Sequence, residues 1–118
     1  MPKLRSIVLS LCLAALDGAA AAQSPLAEAR QQLIEDFAQV VAGTNVCTRY
    51  KPNLALLSFH AVRIRVIFNH PEVQERLAER TRFHAERIKG RSAQDICAAL
   101  LRLYGPEGSN VRNLVRDG

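Results

Sequence analysis

The chain has 118 residues, with sixteen Lys and Arg against eleven Asp and Glu and a formal net charge of +5. At 48% hydrophobic and 23% charged it is too apolar to stay unfolded and too short for more than one domain. Three Cys and no Trp exclude a cysteine-dense scaffold, and the length excludes a multidomain enzyme or a multi-span membrane protein.

The first element reads as an address. Lys3 and Arg5 form a short positive region ahead of an apolar run, Ser6 to Leu16, too short to span a bilayer as a helix. Ala20-Ala21-Ala22 supplies the small-x-small pattern of a signal-peptidase site. The expectation is a signal peptide over residues 1–22 and a mature helical domain over 23–118; the alternative is an anchor helix that stays attached. The leader takes Lys3, Arg5 and Asp17 with it, which lowers the formal net charge from +5 to +4. No later stretch is apolar enough for a transmembrane span, and the leader style points to a periplasmic or secreted location.

In the mature chain, Ser24-Pro25 opens a helix, with Ser as N-cap and Pro in the first turn. Leu26, Ala29, Leu33, Ile34, Phe37, Val40 and Val41 recur at three- and four-residue steps, and Gly43 is expected to end the helix. A loop from Thr44 to Pro52 follows. Asn53 to Phe68 is the most apolar stretch, and apolar residues on every side predict a central, buried helix. A strand over Ala61–Phe68 competes, because Val62, Ile64, Val66 and Phe68 alternate with Arg63, Arg65 and Ile67. A third helix starts at Pro71, with Val73, Leu77, His84 and Ile88 as a narrow inner stripe, and Gly90 closes it. Ser92 starts a fourth helix that Gly105-Pro106 stops, and Ser109 is expected to cap a short last helix carrying Val111, Leu114 and Val115.

These elements predict an all-α fold, a small four-helix up-down bundle with a short C-terminal helix. Loss of Cys12 with the leader leaves Cys47 and Cys97, and an even count in an exported chain predicts one disulfide. Both positions fall at the same end of such a bundle.

No HExxH, CxxC or CxxCH occurs, so no metal and no cofactor are expected. Ser58 and His60 point to different sides of a helix and no Gly-x-Ser-x-Gly elbow exists, so no catalytic residues are expected. His84, among apolar neighbours, is a candidate pH sensor, since charging a buried imidazole opposes packing. Phe37 to Pro71 contains no acidic residue, and this basic tract supplies the candidate partner-binding residues Arg49, Tyr50, Lys51 and Arg63. Arg49, Tyr50 and Lys51 are expected to be exposed, and Arg65 to pair with a Glu on a neighbouring helix.

The reading is an exported, periplasmic, non-enzymatic helical protein. It binds another protein or an anionic envelope component through the basic loop and the apolar second helix, as an inhibitor, immunity protein or accessory factor. Nucleic acid is not an expected partner outside the cytoplasm, and the surplus of apolar positions on Asn53–Phe68 permits a homodimer. Alternatives are a small hydrolase and an acid-stress chaperone. In layout the chain resembles the small acid-activated periplasmic chaperones, with a leader, a helical body and two distant cysteines. The segment Thr44-Asn45-Val46-Cys47-Thr48-Arg49 departs from that family's first-cysteine segment.

Overall fold

A computed structural model describes residues 24–118, so the expected leader and its cleavage point lie outside the described residues. Among the described residues the class is mostly helical, with four helices, a two-stranded sheet and one disulfide. The helices are α1 (Pro25–Val46), α2 (Leu54–Ile64), α3 (Pro71–Ile88) and α4 (Ala93–Tyr104), and the strands are β1 (Tyr50–Pro52) and β2 (Val115–Asp117). Helix α1 is the hub. Each of the other three helices packs on it, and none of them packs extensively on another.

The cap residues act as the sequence predicts for α1 and α4. Ser24 accepts a hydrogen bond from the Ala27 N–H at 3.1 Å, and Ser92 accepts one from the Asp95 N–H at 3.1 Å. Gly43 does not end α1, which continues to Val46 with Cys47 as its C-cap. A Cβ on Gly43 would lie 2.7 Å from the Leu100 side chain. The glycine therefore serves the close crossing of α1 and α4 rather than a helix stop.

The cysteines meet where α1 ends and α4 begins. Cys47 and Cys97 form a disulfide with 5.3 Å between Cα atoms, and Cys47 is buried. Val40, Tyr104 and Leu114 fill the centre beside it, each completely shielded from solvent.

Between Ala61 and Phe68 the chain is helix to Ile64 and irregular afterwards, with no strand. Arg65 takes the left-handed conformation (φ 59°) that closes α2. The Arg30 guanidinium donates to the Ile64 carbonyl at 2.7 Å, satisfying one acceptor that a helix end leaves open. Beyond the cap, Phe68 folds back so that its ring meets Phe37 edge-on at 5.4 Å. Helix α2 is not central either. Only Leu57 and Ala61 are buried, four residues apart on the face toward α1. Apolar residues all round a helix fit a buried core element, but here one side has no neighbour.

The short C-terminal helix expected from Ser109 does not form. Turns occupy residues 105–114, Asn113 takes a positive φ of 62°, and β2 then pairs antiparallel with β1. The register sets Tyr50 against Asp117, Lys51 against Arg116 and Pro52 against Val115. Asn53 anchors this return: its N–H donates to the Leu114 carbonyl at 2.7 Å and its side-chain amide to the Asn113 carbonyl at 2.9 Å. The apolar spacing assigned to a helix stripe instead belongs to Leu114 and Val115, which enter the core directly.

Candidate functional site

The basic loop is built on β1. Strand alternation sends successive side chains to opposite sides, so Tyr50 turns inward and Lys51 outward. Tyr50 is thus buried at 8% exposure, contrary to the exposure expected of it, while Arg49 and Lys51 are exposed. The Arg49 guanidinium lies over the Tyr50 ring, 5.4 Å from its centroid. Strand β2 adds Arg116 directly opposite Lys51, a cation the sequence reading did not connect to this loop. Two like charges opposed across a strand pair disfavour the pairing.

Arg63 sits elsewhere. It stands nine residues beyond Leu54 on α2, about 14 Å along the helix at 1.5 Å per residue. Its guanidinium lies 5.8 Å from the Phe59 ring. The structure therefore separates the four candidates: Arg49 and Lys51 mark one end of α2 and Arg63 the other, with Tyr50 removed to the core. Arg65 is exposed rather than paired with a Glu. Among the described residues every ion pair is made by Glu35, so Arg49, Lys51, Arg63, Arg65 and Arg116 have no acidic partner.

Between the two basic ends runs an apolar ridge. Phe59 is 58% exposed and Val62 78%, with Leu54 and, just past the helix, Ile67 also open to solvent. Apolar side chains grouped in this way mark an interaction surface more often than isolated ones do.

A second polar arrangement lies between the helices. Glu35 on α1 accepts two hydrogen bonds from the Arg80 guanidinium on α3, at 2.8 and 2.9 Å. Nε2 of His84, one turn further along α3, meets the same carboxylate. His84 is thus packed against a carboxylate rather than against apolar groups alone. The Arg80 hydrogen bonds hold the Glu35 carboxyl below its ordinary value, against partial burial and with help from His84.

The neighbouring Asp36 is buried on the other flank of α1. The Tyr104 hydroxyl donates to its Oδ1 at 2.9 Å and the Gln32 amide donates to the same oxygen at 3.1 Å. Burial pushes the Asp36 carboxyl up, and these two hydrogen bonds pull it partly back. Burial also pushes the Tyr104 phenol well above its ordinary value. Tyr104 meets the Gln39 side chain as well, and the Asn110 amide reaches its hydroxyl at 3.4 Å. The sequence reading missed this group, although one signal was present: Leu33, Asp36 and Val40 share helical spacing, which puts an acid on the inner stripe.

Among the described residues no group of three His, Cys, Asp or Glu is placed to hold a metal ion, and no helix is long and apolar enough to cross a membrane. No protein-family model matches the chain, and neither a curated protein nor a solved structure matches it.

Proposed function

We propose that the chain is an exported, non-enzymatic binding protein that docks on an acidic partner protein or another anionic envelope component. The observation that carries this reading is the ridge of α2. Phe59 and Val62 stand open to solvent between cations that have no acidic partner among the described residues. A desolvated apolar centre with a charged rim is the usual anatomy of a protein interface. Export is supported by the leader pattern and by the Cys47–Cys97 bond, since disulfides persist in oxidising compartments. A homodimer across α2 is the weaker use of the ridge, because two copies would oppose their own cations.

The test passes native envelope extract over the oxidised mature chain and over two double variants, Arg49→Glu/Lys51→Glu and Phe59→Ser/Val62→Ser. The reading expects a species retained by the wild type and by neither variant, with retention falling as salt rises. An unchanged set of retained species in both variants overturns it. The acid-stress chaperone reading draws on the same exposed side chains. It expects the wild type, but not Phe59→Ser/Val62→Ser, to suppress aggregation of a client protein at low pH.

A further inference from the structure

A half-open cleft of about 310 Å³ lies between α3 and α4, over the C-terminal half of α1. Its origin is the hub arrangement: α3 and α4 both rest on α1 without extensive packing on each other. Gly43 lets α4 settle close to α1, which fixes the floor. No residue of α3 is fully buried, and of its inner stripe His84 and Ile88 reach the cleft lining.

The lining is divided by chemistry. Gly43, Ile88, Leu100 and Leu103 give an apolar floor and walls, while Arg87, Arg91 and Arg102 also line the cleft. All three arginines are exposed and none makes an ion pair among the described residues. Asp95 is the single acid in the lining, so the cleft keeps a surplus of positive charge. Two further polar groups of the lining are already engaged: Nε2 of His84 on α3 with Glu35, and Gln39 on α1 with Tyr104. They leave little for a ligand that needs many hydrogen bonds. The volume falls at the small end of the range for small-molecule sites, about 300–1,000 Å³.

We propose that this cleft binds a medium-chain fatty acid. Its carboxylate meets the guanidinium groups of Arg87, Arg91 and Arg102, and its chain lies along Gly43, Ile88, Leu100 and Leu103. A guanidinium fork matches a carboxylate with two parallel hydrogen bonds. The apolar floor rewards a short hydrocarbon chain that displaces water. An uncharged alkyl ligand leaves the arginines unpaired, and a nucleotide finds no free aromatic face to stack on. The site shares no lining residue with the α2 ridge, so it goes beyond the docking role and stands or falls separately.

Calorimetric titration of the oxidised mature chain with decanoate, below its micelle-forming concentration, tests the proposal beside decanol as the uncharged match. Saturable binding of decanoate, at least about tenfold tighter than decanol, is expected. Arg91→Glu/Arg102→Glu should abolish that preference, and Ala99→Phe, placed on the lining, should block both ligands. Arg82→Glu/Arg112→Glu, exposed positions outside this cleft and outside the docking surface, controls for net charge and should leave decanoate affinity unchanged. Circular dichroism verifies that each variant is folded. Absence of decanoate binding by the folded wild type, or equal affinity for decanol, overturns the proposal. So does decanoate binding that survives Ala99→Phe but is lost in Phe59→Ser/Val62→Ser.

Discussion

Glu35 and Asp36 are consecutive, yet their carboxyl groups shift in opposite directions. Glu35 is held below its ordinary value of 4.5, so its contribution to stability is fully present above that pH and is lost as pH falls through the lowered folded value. Glu35→Gln should therefore cost about 1 kcal/mol at neutral pH, a modest figure because the site is partly solvated. The gap to wild type should close below pH 4.5 in urea titrations run across pH. Asp36 is raised above 3.8, so its contribution is fully present below that pH and is lost as pH rises through the folded value. Asn at this position keeps the oxygen that accepts from Tyr104 and Gln32 and carries no charge. Asp36→Asn should then be at least as stable as wild type at pH 7. Asp36→Leu, which removes the acceptor, should lose about 1–3 kcal/mol.

At the scale of elements, the crossing of α1 and α4 gives a prediction whose sign separates two readings of one glycine. If Gly43 merely weakened the helix, alanine would stabilise by up to about 1 kcal/mol through backbone entropy. Because Leu100 occupies the space a Cβ would need, Gly43→Ala should instead destabilise by about 1–3 kcal/mol. The double variant Gly43→Ala/Leu100→Ala should be no less stable than Leu100→Ala alone, a coupling that thermal melts of the four proteins would measure. The same pair shows where sequence reasoning stops. Ser24 and Ser92 act on backbone N–H groups three residues away, so their caps are legible locally. What Gly43 is for depends on a side chain 57 positions later. Likewise β1 and β2 are three residues each and define each other only by pairing, so neither carries a period of its own.

The whole molecule is tied at one end by a bond between residues 50 positions apart. Closing a loop of that length should stabilise by about 4 kcal/mol in the chain-entropy account. For a domain of this size that is a large part of total stability. Reduction, or Cys47→Ala/Cys97→Ala, should lower the melting temperature steeply, as calorimetry with and without reductant would show. The bond and the helical class were readable from cysteine count and hydrophobic spacing. The hub was not. Helix α2 has apolar residues on every side, and that pattern is the same whether a neighbour covers all of it or only Leu57 and Ala61. The basic tract was readable as composition, but its division into two ends followed from the length of α2 and from Tyr50 turning inward.

Lys51 and Arg116 push against each other across a ladder only three residues long. The last strand is therefore a spring held under electrostatic load. Raising ionic strength should relieve that load and slow amide hydrogen exchange at Val115 to Asp117. A visiting carboxylate seated between the two cations would do the same, and more strongly. The tail of the chain thus becomes a gauge of occupancy: protection gained there at constant salt would report an acid's arrival before its source is known.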